Sequence, residues 1–446
     1  MTSPATTLPS IMREEFGAFF AALNGGHSPF SWQEEVLDHI CEHGVWPERI
    51  NAPTGSGKSS VVDIHLFANA LAAVGAAPRV PRRLCVTVGR RALVDSQVDR
   101  AREKILDLMG KALTDESGEP DILRRVAEAL QSFQTRNDEE RSAPFEIGHI
   151  RGELSNRTLP VTDISACAII AATPDMYGSR ALFRGYGSTK AARPRETALL
   201  TMDTVMVLDE AHMNRQLLRT AQRIAQLQKR EADLGIPTLQ VVETTATPST
   251  EDSESTTLGV NIEALDRPND EKLRERVYSH KELVLRPIDK WDGKPGNRAV
   301  VDAAVGSIKE FLAHREAGEG SEEAHTIGCI VNHVRTAISI KEALAKNLAE
   351  EEVQLLVGRM RPYDLKNLQK KHGKLFTTEG DESVKVVVAT QTLEVGIDVD
   401  FADLVTELAP ASSLAQRFGR VNRLGRRKDS KVVVIEPASG DSVKKD

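Results

Sequence analysis

The chain has 446 residues, 58 Lys plus Arg against 65 Asp plus Glu, and a formal net charge of −7. At roughly 100–200 residues per domain, that length calls for two or three domains, each able to bury its own core. The mild acidity, with pI about 6.0, excludes a histone-like coat for nucleic acid but leaves room for a local basic groove.

The first residues lack a basic start and carry Glu14 and Glu15 before the apolar stretch, unlike a signal peptide. No run approaches the roughly 18 apolar residues that span a bilayer. Four cysteines, Cys41, Cys85, Cys167 and Cys329, form no CxxC unit, so a zinc ribbon, a disulfide scaffold and a cysteine-ligated cluster are not expected. A cytoplasmic chain with no membrane segment is the expectation.

In chain order, a short ERIN strand leads into the glycine-rich segment 52–60 and a helix over 58–74. Strands are expected at 83–88, 166–172, 204–210 and 239–245, then at 326–332, 384–390 and 431–437. Their continuous Val/Ile content suits strands covered on both faces. Helical patterns at 92–109, 214–233 and 336–350 alternate with them, which reads as α/β with doubly wound, mostly parallel sheets. Polar stretches at 114–120 and 134–140 bracket a helix and suggest a surface insertion. The acidic run 249–257 and the turn-rich 291–297 place the domain boundary within 249–297. The expected division is 1–250, a linker or insertion at 251–297, and 298–446.

Segment 52–60, APTGSGKSS, departs from G-x-x-x-x-G-K-[ST] only at Ala52. Gly55 and Gly57 let backbone N–H groups surround phosphate oxygens, with Thr54, Ser56 and Ser60 in the same cradle. Lys58 is placed to reach the β- and γ-phosphates, and the Ser59 hydroxyl can ligate Mg²⁺. Strand 204–208 then delivers Asp209 and Glu210, ahead of Ala211 and His212, to its C-terminal end. Asp209 suits the magnesium side, and Glu210 suits orienting or deprotonating the attacking water. ATP hydrolysis with Mg²⁺ is the firm expectation.

Segment 179–195 carries Arg180, Arg184, Lys190, Arg193 and Arg195, interleaved with Phe183 and Tyr186. Charges for phosphates and rings for base stacking are what a single-strand groove needs. The histidines of His39-Ile40-Cys41-Glu42-His43 match H-x-x-E-H, but with no third ligand in view an ordinary helical pair is the preferred reading.

Taken together, the P-loop, Asp209-Glu210-Ala211-His212 and Thr245-Ala246-Thr247-Pro248 resemble motifs one to three of superfamily 2 DEAD/DEAH-box helicases. Segment 389–400 resembles motif five and 416–426 motif six, while Gln33, with Phe30 nearby, resembles the adenine-reading Q-motif. The resemblance implies two tandem RecA-like domains with the ATP site in the cleft between them. It implies an arginine-finger role for Arg420 and Arg423, three apart and expected on one helix face. Gln416 is a candidate to position water or contact the nucleotide. Gly396 and Asp398 would sense the nucleotide, and His212, Thr245 and Thr247 would relay its state. Thr173, Arg335, Arg359, Arg361, Thr390 and Thr392 join the strand-contact candidates.

Segments 172–187, 357–364 and 416–423 are further similar to the helicase of type I CRISPR systems, with the type I-G branch looking nearest. That resemblance implies a monomeric motor moving 3′ to 5′ on single-stranded DNA, recruited by a guide-RNA surveillance complex to the displaced strand of an R-loop. None of the eleven histidines is followed by aspartate, so the partner nuclease's His-Asp signature is missing and cutting is expected from elsewhere. An RNA-dependent DEAH-box ATPase and an ATP-gated clamp that separates no strands remain the alternatives.

Overall fold

The computed structural model describes residues 8–438 apart from 54, 115–117, 119, 136–142, 153–158, 160–162, 231–234, 236, 246–254, 318–324, 359 and 394–398. The chain divides into two compact units, Met1–Glu271 and Lys272–Asp446.

The first unit is built on β1 (Arg49–Asn51), β2 (Arg83–Thr87), β3 (Glu146–Ile150), β4 (Ala168–Ala172), β5 (Thr204–Leu208), β6 (Gln240–Thr245) and β7 (Thr257–Gly259). They form one sheet in the order β3-β4-β2-β5-β6-β1-β7, and every adjacent pair is parallel. Strands β2, β4 and β5 are buried at all five positions, as continuous apolar runs require when helices cover both faces. Order β5-β6-β1 matters for the site, because the segments after these three strands emerge side by side at one edge.

The second unit holds β8 (Glu282–Ile288), β9 (Ile327–Ile330), β10 (Val353–Leu356), β11 (Val386–Ala389), β12 (Asp403–Glu407) and β13 (Lys431–Pro437). Their order is β10-β11-β9-β12-β13-β8, again with all neighbours parallel. Alternation along β9 and β11 sends Ile327, Cys329, Val386 and Val388 into one apolar cluster. Ile330, Val387 and Ala389 enter a second cluster on the opposite face. Both sheets are therefore doubly wound, with a core on each side.

Two expectations about organisation need correction. Segment 251–297 is not a linker: Thr257–Gly259 pairs with β1, and Glu282–Ile288 pairs with β13 along its whole length. Its polar composition reflects edge strands, of which β8 leaves Leu283 and Leu285 exposed and carries Pro287. The helix Asp121–Gln131 is not a surface insertion either. It buries Ile122, Leu123, Val126, Ala127 and Leu130 and packs against the helix Val61–Ala73.

The expected helix 92–109 is a continuous run from Arg91 to Ala112 with π geometry over Arg100–Leu106. Its Arg100 donates to the fully buried Asp63 at 2.7 and 2.9 Å. His39 and His43 stack at 4.4 Å. No group of three metal-ligating side chains occurs among the described residues, and no helix among them is long and apolar enough to cross a membrane.

Candidate nucleotide and nucleic-acid sites

The glycine-rich loop leaves β1 with Gly55 and Gly57 at φ 86 and 81, left-handed values that glycine adopts without a Cβ clash. A Cβ at Gly57 would also lie 2.9 Å from Gln33 Nε2. The loop is braced from below by the helix Ser31–His43. Trp32 Nε1–H donates to Ser56 O at 3.1 Å, and Gln33 Nε2 donates to Ser60 Oγ at 2.7 Å and Gly57 O at 3.3 Å. Gln33 Oε1 in turn accepts from Phe30 N–H at 2.8 Å.

These contacts place several of the candidate side chains. Gln33 is 1% exposed, and its amide is hydrogen-bonded into the loop. The Ser56 hydroxyl donates to Pro53 O and that of Ser60 to Gly57 O, both turned into the loop. Ser59 faces outward. Thr54 lies outside the described residues.

Lys58 Nζ lies 3.0 Å from Glu210 Oε1 and 3.7 Å from Asp209 Oδ1. The structure thus brings together the lysine after β1 and both acids after β5. Glu210 takes φ 49 and ψ 52, a strained backbone for a residue with a side chain. Its other oxygen faces His212 Nδ1 at 3.4 Å. Asp209 Oδ1 accepts from Thr244 Oγ1 at 2.9 Å. Thr244, 2% exposed near the end of β6, was not foreseen from sequence; the signal was a threonine pair, Thr244-Thr245, entering motif three. Thr245 is buried beside it, and its carbonyl accepts from Ala52 N–H at 3.0 Å. Thr247 lies outside the described residues.

The donor set fits the chemistry expected of it. A lysine among carboxylates and hydroxyls offers hard oxygen ligands for Mg²⁺ and a cation for phosphate.

In the basic segment the candidates part company. Arg180 is 2% exposed; its Nε lies 3.2 Å from Glu196 Oε2 and its Nη1 donates to Met176 O. It ties two helices together, and its charge is met by Glu196 on the next helix. Arg184, Lys190 and Arg195 are exposed and Arg193 is half-buried. Thr173 caps the helix Pro174–Ala181 through its backbone, and its hydroxyl makes no capping bond.

In the second unit, the helix Ala411–Phe418 ends before Arg420. Arg420 and Arg423 therefore do not share a helix face. Gly419 closes the helix, Val421 bridges to Phe401, and Asn422 turns at φ 43. Asn422 is clamped by Arg427, whose N–H donates to Asn422 Oδ1 at 2.9 Å. Asp400 anchors the same turn by accepting from Arg423 N–H at 2.7 Å and pairing with Arg427 at 3.0 Å. Arg420 is buried, and Gln416 and Arg423 are half-buried. Arg417, fully buried, donates to Thr406 Oγ1, Glu407 O and Asn332 Oδ1 and is structural.

Arg335 is exposed. Thr390 and Thr392 are brought together with hydroxyls 3.3 Å apart, although Thr390 is only 7% exposed. Arg361 pairs with Asp364. Arg359, Gly396 and Asp398 lie outside the described residues.

Against known proteins, residues 323–426 match the family model described as CRISPR-associated nuclease/helicase Cas3, C-terminal. A Cas3 nuclease/helicase from Streptococcus thermophilus is 31% identical over 109 residues, which is 24% of this chain and 11% of that protein. Among solved structures, T. fusca Cas3 with ATP aligns with TM-score 0.56 and 17% identity over 97% of this chain and 48% of that one. The DUF1998 helicase MrfA bound to DNA and AMPPNP aligns with TM-score 0.60 and 14% identity over 98% and 52%. The DEAD-box helicase Mss116 bound to single-stranded RNA aligns with TM-score 0.54 and 14% identity over 96% and 76%. The chain thus spans about half the length of the Cas3 and MrfA structures it matches. Residues 323–426 are thus similar to the C-terminal part of Cas3, and the two parallel sheets share the fold of the helicase structures that align with them.

Proposed function

We propose that the chain is an ATP-driven translocase and helicase that moves 3′ to 5′ on single-stranded DNA, in type I CRISPR interference at the displaced strand of an R-loop. The observation that carries the reading is the convergence of Lys58, Asp209, Glu210 and Thr244 at the ends of three neighbouring parallel strands. The Cas3 match over 323–426 favours the CRISPR setting.

Asp209 and Ser59 would hold Mg²⁺, which when bound would neutralise negative charge on the phosphates. Lys58 exchanges Glu210 for phosphate oxygens. That exchange frees Glu210 Oε1 to accept the proton of the attacking water, while Oε2 stays beside His212. Thr244 fixes the orientation of Asp209. Arg420 and Arg423 are the candidates to stabilise charge on the γ-phosphate, a role worth about 10³–10⁵ in rate. Thr173, Arg184, Lys190, Arg193, Arg335, Thr390 and Thr392 are the candidate contacts to the strand's backbone. Such contacts give little sequence selectivity. Strand cutting is assigned to a nuclease other than these residues, and recruitment to a guide-RNA complex.

Stimulation of ATP hydrolysis is to be compared across single-stranded DNA, single-stranded RNA and duplex DNA. The reading expects the strongest stimulation by single-stranded DNA. Stimulation by RNA alone overturns it in favour of an RNA-dependent ATPase.

A further inference from the structure

The loop joining the helices Pro174–Ala181 and Arg193–Thr201 carries a feature that phosphate contacts leave unexplained. Leu182, Phe183 and Tyr186 are 54, 57 and 64% exposed, three large apolar side chains within five residues. Phe183 sits at φ 59, a left-handed backbone that disfavours a bulky side chain and persists only where its surroundings enforce it.

The surroundings do enforce it. Phe183 N–H donates to Arg180 O at 3.0 Å, and Arg184 and Gly185 N–H both donate to Ser179 O, at 2.8 and 3.1 Å. Tyr186 N–H donates to Ser179 Oγ at 3.3 Å. Beneath the tip, Ser188 Oγ–H donates to Glu196 at 2.6 Å, and the Thr197 hydroxyl donates to Arg180 O at 2.7 Å. Gly185, at φ 48, is tightly fitted: a Cβ would lie 3.1 Å from Ser188, which would have to give way. The buried Arg180–Glu196 pair is the footing of this projection.

We propose that the loop 182–187 is a strand-separating pin, with Phe183 and Tyr186 stacking on bases at the point where a duplex opens. This rests on the reading of the chain as a nucleic-acid translocase. The occupant follows from the charge of the same segment: Arg184, Lys190 and Arg195, on the loop and at the start of the helix that follows it, are exposed and complement the phosphates that flank a base. A ring stacked on a base is worth about as much as the stacking lost when one base-pair step opens, so it can hold a newly opened step. Apolar side chains that enter between bases unstack them in the same way.

The backbone supplies a clean test. At φ 59 glycine is at ease, so Phe183→Gly removes the ring without straining the fold. The full chain, Phe183→Gly and Phe183→Trp are compared on a partial duplex with a single-stranded tail, measuring strand displacement and ATP hydrolysis together. The base pairs opened per ATP hydrolysed should fall by about tenfold in Phe183→Gly and be largely restored by Phe183→Trp. Unchanged base pairs per ATP overturn the pin. So does a wild-type chain that hydrolyses ATP on a single strand yet opens no duplex. A wild-type chain whose ATPase ignores every nucleic acid instead refutes the translocase reading, and the pin falls with it.

Discussion

Lys58 and Arg184 are cations of the same unit in opposite situations. Lys58 is held 3.0 Å from Glu210 amid side chains that place one another, whereas Arg184 faces water from the rim of a loop. At the ends of β1 and β5, Lys58, Asp209 and Glu210 each have a defined neighbour, so their chemistry depends on geometry. Around 182–195 the scaffold is fixed but the charges are open, so function there depends on their sum. Arg180 sharpens the contrast, since it lies four residues from Arg184 and belongs to the scaffold.

The largest effects should come from the closed set. Lys58→Ala should lower steady-state ATP hydrolysis by about a thousandfold. Within the basic segment, Arg180→Ala strands Glu196 in a buried position and should lower unfolding free energy by about 3 kcal/mol in denaturant titration. A loss confined to strand binding would instead make Arg180 a contact residue.

Acid should destabilise the first unit through a buried histidine. His65 lies fully buried on the helix that follows the P-loop, with Nε2–H donating to Arg82 O at 3.1 Å. Burial pushes its pKa from 6.5 down to about 4. The unfolded chain therefore takes up a proton near pH 6.5 that the folded chain refuses until about pH 4. The stability is held above pH 6.5 and lost as pH falls toward 4, amounting to about 2 kcal/mol between pH 7 and 5. His65→Gln should flatten that slope in thermal unfolding.

Thr244→Val removes the hydroxyl on Asp209 and should reduce kcat by about tenfold while raising the Mg²⁺ concentration needed for half-maximal rate. Smallest is the open set. Arg184→Ala with Lys190→Ala should weaken single-strand binding several-fold and reduce the salt slope by about 1.4. An unchanged slope would move the strand track elsewhere.

The parts legible in sequence were those whose determinants are local. Strands such as 83–88 and 431–437 announce themselves by unbroken apolar runs, and the P-loop by glycine spacing. Strand β12 was not, because Asp403, Thr406 and Glu407 look polar and are matched by Arg315, Arg417 and Asn332 on other elements. Arg180 was misread for the same reason: its type suggested phosphate, while Glu196 on the next helix neutralises it. The hold of Gln33 on the P-loop was not legible, because nothing in its neighbourhood in sequence says that Ser60 will fold against it. Thr244 and Asp209 meet only because β6 pairs with β5. Long-range partners decide whether a polar residue serves the fold or the ligand.

The central claim is that Lys58, Asp209 and Glu210 form an ATP-hydrolysing site. Its most direct test is single-turnover hydrolysis by Glu210→Gln, with bound nucleotide counted in the same sample. The account predicts ATP retained near one per chain with hydrolysis slowed by at least about a hundredfold. Hydrolysis at the wild-type rate would contradict it.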